Sequence, residues 1–184
     1  MIILQLSDFK EGKFKIPQTN NLCSNQLQKY IDRYEKRYLI DLLGCELSEL
    51  LIDDLVDGVP TDPLYLSLFN EICIDLRNGF FNYYYSQSLC YCEPKRIISR
   101  GLKSMLQGFI FFEYMRDFPN QRDLTGVNRV DSENTTYTEF SSWGLSQFYN
   151  ESVEDYHNIQ YYIHKNQYEY EDFNGTLKRK ISIS

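Results

Sequence analysis

Histidine is nearly missing from this chain, with two in 184 residues, and tryptophan occurs once. His157 and His164 lie seven residues apart, about 10.5 Å along a helix axis. Metal-binding pairs on a helix use i,i+3 or i,i+4 spacing, so both read as polar surface residues. No Gly-x-Gly-x-x-Gly, Walker A, Gly-x-Ser-x-Gly, His-Glu-x-x-His or EF-hand pattern occurs. Ser7-Asp8-Phe9-Lys10 matches Ser-x-x-Lys, but on a segment that reads as extended rather than helical, and chance explains it. No enzyme activity, cofactor or metal is expected.

Positive charge is also scarce. Lys and Arg number 19 against 26 Asp and Glu, a formal net charge of −7 with a pI near 4.9. That excludes the basic footprint of a protein that coats duplex DNA. Long apolar runs are absent too: residues 105–115 are interrupted by Gln107 and Glu113, far short of a membrane span. Residues 1–6 are apolar without a basic region before them, and Asp8 follows, so no signal peptide is expected. The five cysteines form an odd, irregular set that reads as reduced thiols in a cytosolic protein. Cys90-Tyr91-Cys92 lacks the second pair that zinc spacing requires. The Asn-x-Ser/Thr matches at Asn134, Asn150 and Asn174 carry no weight without a secretory route.

What is plentiful is aromatic area: 16 Tyr and 12 Phe bring aromatics to 16% of the chain. A single domain has limited interior, so many tyrosines are expected at the surface or between subunits, where an amphipathic ring buries much area at low entropy cost.

The pattern predicts a mainly α protein: a helical bundle core over residues 23–173, an extended N-terminal arm (1–22), a long central loop and a basic C-terminal tail (174–184). In the arm, Ile2, Leu4 and Leu6 alternate with Ile3, Gln5 and Ser7, and Gly12 and Pro17 break the rest. Ser24 is expected to cap a first helix whose stripe is Leu27, Tyr30, Ile31, Tyr34, Tyr38 and Leu42, with Asp32 and Lys36 as an outer pair and Gly44 as its end. A second helix carries Leu47, Leu50, Leu51 and Leu55 and stops at Gly58. Pro60-Thr61-Asp62-Pro63 starts a third over residues 64–76. Residues 78–93 are aromatic and irregular. A helix from Pro94 to Phe118 has Ile98, Leu102, Met105, Phe109 and Phe112 as its stripe. Apolar on nearly all sides, it is the central helix. Gly101, Ser104 and Gly108 line one side of it. Each helical glycine costs about 1 kcal/mol, which predicts close approach of another backbone there.

Residues 120–138 read as a polar loop of the kind that carries contacts. A last helix over 139–173 turns Leu145, Tyr149, Val153, Tyr156 and Ile163 inward, leaving Tyr161, Tyr162, Tyr168 and Tyr170 unable to follow together. Asp53, Asp54, Asp57 and Asp62 make an acidic corner that reads as a solvated helix end rather than a cation site. Glu151, Glu154, Asp155, Glu169, Glu171 and Asp172, against Lys165 alone, form either a solvated face or a surface lining a DNA conduit. The tail, Leu177-Lys178-Arg179-Lys180-Ile181-Ser182-Ile183-Ser184, reads as a disordered basic end or as a strand for a neighbour's sheet or acidic surface.

Several ordered segments carry a resemblance. They are Tyr34-Glu35-Lys36-Arg37-Tyr38-Leu39-Ile40-Asp41-Leu42-Leu43-Gly44, Pro60-Thr61-Asp62-Pro63-Leu64-Tyr65 and Gly101-Leu102-Lys103-Ser104-Met105-Leu106-Gln107-Gly108-Phe109-Ile110-Phe111-Phe112-Glu113-Tyr114. Thr125-Gly126-Val127 and Ser132-Glu133-Asn134 follow. Their order and spacing over residues 27–139 resemble the head–tail connector (adaptor, or neck ring) proteins of tailed bacteriophages, especially crAss-like phages. The resemblance implies a closed, usually dodecameric ring at the virion neck, assembled in the host cytoplasm. Its partners would be copies of itself, the portal protein and the next neck or tail ring protein, with DNA only as passing cargo and no membrane. Candidate subunit contacts are Phe80, Phe81, Tyr83, Tyr84, Tyr85, Tyr161, Tyr162 and Tyr168. Candidate axial contacts are Gly126, Glu133, Asn134, Lys178, Arg179 and Lys180. The alternative is a small DNA-handling or regulatory protein that grips phosphate with its basic tail.

Overall fold

A helix that is apolar on every side must be covered on every side, and α4 (Leu102–Asp117) is that helix. Ten of its residues are buried, seven of them in an unbroken run from Gly108 to Tyr114. The computed structural model describes residues 3–16, 21–75, 96–117 and 142–180, and the protein is mainly α as expected. Around α4 stand α1 (Asn21–Leu43), α2 (Cys45–Asp53), α3 (Pro63–Phe69) and α5 (Ser142–Lys165). Two short antiparallel hairpins complete the described elements: β1 (Leu55–Val56) with β2 (Val59–Pro60), and β3 (Ile72–Asp75) with β4 (Arg96–Ser99).

α1 presents Leu27, Ile31, Tyr34, Tyr38, Leu39, Leu42 and Leu43 to the core. It begins before Ser24 and ends at Gly44, whose backbone (φ +88°, ψ 168°) is a conformation open essentially to glycine alone and leads directly into α2. Tyr38 stacks on Phe109 of α4 with ring centroids 4.4 Å apart and planes 10° apart. α5 runs antiparallel to α4. Phe112 meets Tyr149 near one end, and Gly108 faces Ser152, whose Oγ a Cβ at position 108 would strike. What comes nearest at Gly108 is therefore the Ser152 side chain of α5 and the Phe14 ring, rather than the backbone that was expected there.

Gly101 serves another purpose. It precedes α4 at φ +84°, and a Cβ there would strike the backbone of Phe69 and Asn70 at the end of α3. The expected helix from Pro94 is replaced by β4, so Ile98 is not on the α4 stripe. It lies on a strand and is exposed, while Ser99 beside it is buried. The expected third helix likewise stops at Phe69 and gives way to β3, where Ile72 and Ile74 are buried and Cys73 is exposed, the two-residue period of a strand.

Gly58 does not close α2. That helix ends at Asp53, and Asp57 and Gly58 (φ 52° and 79°) form the two-residue turn of the β1–β2 hairpin. The acidic corner is consumed locally. The Asp54 carboxylate accepts from the Thr61 hydroxyl (2.5 Å) and from the Thr61 and Asp62 amides (2.8 Å each). Those bonds, the hydroxyl's first, hold the Asp54 carboxyl below its usual range. Asp62 caps α3 through the Leu64 amide at 2.8 Å.

The segment before α1 is no extended arm. Leu6–Phe9 is a 3₁₀ turn, and Ile3, Leu4, Phe9, Phe14 and Ile16 belong to the core. Its entry is fixed by Glu35, 1% exposed, whose Oε1 accepts from the amides of Ile3 (2.7 Å) and Leu4 (2.6 Å). Removing the acceptor leaves two buried N–H donors unmatched. Glu35→Ala should therefore lower unfolding free energy by about 3 kcal/mol, and Glu35→Gln, which keeps an acceptor, by clearly less. Urea unfolding of the two variants measures the difference, and equal losses would contradict this role.

Candidate functional site

Helices leave their last four carbonyls without intrahelical donors. At the end of α1 two of those carbonyls, Asp41 and Leu43, are met by a strap, residues 174–180, that crosses back over α1 and α5. The Asn174 amide donates to the Leu43 carbonyl (3.1 Å), and the Thr176 amide donates to that of Asp41 (2.7 Å). Gln160 of α5 donates through Nε2 to the carbonyls of Leu42 and Thr176, both at 3.0 Å. The Tyr156 hydroxyl lies between the carbonyls of Asp41 and Thr176 and donates to one or the other. Burial pushes that phenol up to about 12. Gly175 is required, because a Cβ there would collide with the Leu42 carbonyl oxygen.

Beyond it, Lys178 turns inward. Its Nζ sits 4.1 Å from the Tyr38 ring centroid, 5.2 Å from Phe109 and 5.7 Å from Tyr156, and 3.2 Å from the Asp41 carboxylate. Three ring faces and one carboxylate around an ammonium make a cation cage. Burial lowers the lysine from its usual range, opposed by the bond to Asp41. The strap is anchored again where His157 Nε2 meets the Lys178 carbonyl at 2.6 Å and where Lys180 pairs with Glu154 at 3.4 Å. His157 is thus half-buried, not a surface residue. His164 sits edge-on to Phe173.

The tail, expected to be either a disordered basic end or a strand for a neighbour, is docked on its own chain as far as Lys180. Of the expected axial contacts, Lys178 is engaged in the cage, Lys180 is exposed against Glu154, and Arg179 is exposed. Gly126, Glu133 and Asn134 lie outside the described residues, as do Phe80, Phe81, Tyr83, Tyr84 and Tyr85. Tyr161 and Tyr162 are half-buried against the core, whereas Tyr168 is 87% exposed. Tyr170 goes inside instead, with its hydroxyl 3.0 Å from the Leu64 carbonyl. α5 itself stops at Lys165, short of the expected 173.

The acidic face expected on the last helix is partly neutralised. Arg100 reaches Asp155 at 2.6 Å and Glu151 at 3.4 Å, and Lys13 also pairs with Glu151. An open cleft of about 320 Å³ beside these groups is lined by Asp8, Glu11, Lys13, Arg100 and Gln107 among others, acids and bases together, so it presents no field of one sign. Among the described residues no group of three His, Cys, Asp or Glu is placed to share a metal ion, and no helix is long and apolar enough to cross a membrane.

Neither the cage nor the Glu35 anchor was given a role from the sequence, but a signal existed for the latter. Glu35 lies four residues after Ile31 and four before Leu39, inside the apolar stripe of α1, where a carboxylate requires donors. Nothing in the sequence connects Lys178 to Tyr38 across 140 positions.

The strap's dependence on His157 has a sign. Burial holds the imidazole below its ordinary pKa of 6.5, against the pull of the Lys178 carbonyl and Glu154, with Lys180 adding to the lowering. A base depressed in the folded state is protonated first in the unfolded chain, so its contribution is full above pH 6.5 and is lost as pH falls below it. The stability difference between wild type and His157→Gln, which can still donate to the carbonyl, should shift against the wild type between pH 7.5 and 5. A difference independent of pH in urea titrations would contradict this.

No protein family, curated protein or solved structure matches the chain.

Proposed function

We propose that this chain is a non-enzymatic structural subunit of a phage neck ring that joins the portal to the tail and extends the DNA channel. The resemblance of the ordered segments over residues 27–139 motivates the reading. The observation that carries it is where the two long intervening segments leave the scaffold. The Ile98 carbonyl accepts from Asn158 and Arg100 binds Asp155, so moving back along β4 toward Arg96 means moving toward the C-terminal end of α5. α4 runs the other way along α5, past Ser152 and Tyr149, toward Asp117. Residues 76–95, which hold Phe80, Phe81 and Tyr83 to Tyr85, begin and end at the paired Asp75 and Arg96. Residues 118–141, which hold Gly126, Glu133 and Asn134, begin at the end of α4 and close at the start of α5. The described residues that bracket the two candidate contact segments thus lie toward opposite ends of α5, and a ring stacked between two other layers needs two different contact faces on each subunit.

The DNA-gripping alternative is weakened by the tail itself. Of its three cations, Lys178 is in the cage and Lys180 is paired with Glu154. With Glu151 and Asp155 matched to cations, repulsion of passing phosphate rests on the net charge of −7 rather than on the first half of α5.

Analytical ultracentrifugation with purified portal should give a co-sedimenting multi-subunit species. A chain that stays monomeric, ignores the portal and binds DNA with a steep salt dependence would favour the alternative. Changing Tyr83 and Tyr84 together to Ser should abolish assembly while far-UV circular dichroism stays unchanged. Normal particles from that variant would overturn the assignment of the surface.

A further inference from the structure

We infer that the groove at the end of α1, filled here by residues 174–180 of the same chain, is a docking site for the corresponding strap of a second copy. The groove reads its occupant at successive positions. The Asp41, Leu42 and Leu43 carbonyls accept from an extended backbone or from Gln160 beside it, position 175 admits only glycine, and the Tyr38–Phe109–Tyr156 cage with Asp41 takes an ammonium three residues later. Glu154 then meets the cation two residues further on. The charges are complementary: acidic groups on the groove, basic groups on the strap.

These contacts are made by polar groups and ring faces to an extended segment, and Leu177 between the anchors is 73% exposed. The segment contributes no large apolar side chain of its own to the core; its withdrawal uncovers the Tyr38, Phe109 and Tyr156 rings beneath Lys178, and the strap of another copy covers them again. The bonds it makes are the same whether the strap comes from its own chain or from another. Each chain has one strap and one groove, so passing the strap to the next copy in a head-to-tail direction satisfies every copy of a closed ring. The link from α5 to the strap, residues 166–173, is coiled in turns held by amide bonds such as Glu169 to Asn166 and Phe173 to Tyr170. Extended, eight residues span at most roughly 26 Å, enough to reach a neighbour's groove once Tyr170 leaves Leu64 and Ser67. Within one chain the high effective concentration favours the closed arrangement. In an assembly, neighbours supply a comparable concentration. Exchange between copies rests on the assembly reading above, whereas recognition of the strap by the groove does not.

The test uses full-length chains. Gly175→Ala blocks docking of the chain's own strap and leaves its groove open. A fluorescent peptide of residues 172–180 should bind that variant about tenfold or more tightly than it binds the wild type, whose groove is occupied. The same peptide with alanine at position 175 should not bind. Lys178→Ala is a second acceptor should the first fail to fold, with circular dichroism confirming helix content in either. A chain carrying Tyr156→Phe and Asp41→Asn keeps its strap and loses groove contacts. Mixed with Gly175→Ala, it should form a one-to-one species of twice the mass by light scattering. A folded acceptor that binds the peptide no better than wild type, or a mixture with no hetero-species, overturns the proposal. Wild type that sediments with portal while the mixture stays monomeric would sink strap exchange alone. The hetero-species without portal association would sink the neck reading alone.

Discussion

The described fold is organised by how little of α4 can be shown to water: every residue from Gly108 to Tyr114 is buried, while Lys103, Ser104, Gln107 and the last turn are less so. Gly108 lets α5 approach on one side, where a side chain would have struck Ser152. Tyr38 lies flat on Phe109 from α1, and Phe14, from the segment before α1, reaches Phe111 and Phe148. Gly101 lets the corner before α4 press on the end of α3. Apolar contacts hold the flanking segments, as Ile3, Phe9 and Phe14 hold the one before α1, and buried polar groups fasten them further. Glu35 holds the entry and Asp155 holds Arg100 (amide at 2.9 Å and guanidinium at 2.8 Å). Asn158 holds β4, and Gln160 with Tyr156 holds the strap. Glu113 accepts from the Tyr38 hydroxyl at 2.6 Å and pairs with Arg116 at 2.7 Å. Burial first, then the bond to Glu113 and its charge, pushes the Tyr38 phenol well above its usual range.

That division was partly legible in the sequence. The helical class, the α1 stripe, its Gly44 end and the central place of α4 followed from the 3.6-residue period and from apolar residues all round one segment. Short elements were not. β3 and β4 are four residues each, and next to a strong helical pattern such runs read as its continuation. Only the contact between Gly101 and the Phe69–Asn70 backbone explains why the chain turns there. Asp57-Gly58 was readable as a hairpin turn, but the leucines before it continued the helix period past Asp53. The arm looked extended because alternation over six residues cannot register a carboxylate 31 positions away that takes its amides.

The tail and the last helix misled for a related reason. Charge counted along the chain places Glu151 and Asp155 on an acidic face and Lys178 on a basic end. In three dimensions the acids meet Lys13 and Arg100, and the lysine enters a ring of aromatics. Sequence-local electrostatics overstated both the acidity of α5 and the availability of the tail. The candidate contacts most consistent with the proposed neck role are accordingly the segments that the described scaffold brackets, together with Tyr168 and the outward side of the strap.

The central claim is that the segment before α1 is part of the cover of α4 and not an appendage. Native-state hydrogen exchange tests it directly, because locally opening regions and the global core differ in their dependence on denaturant. The amides of Ile3, Leu4 and Ile16 are expected to exchange through the same denaturant-dependent opening as those of α4. Exchange of these three by a denaturant-independent local opening, with α4 still protected, would contradict the account.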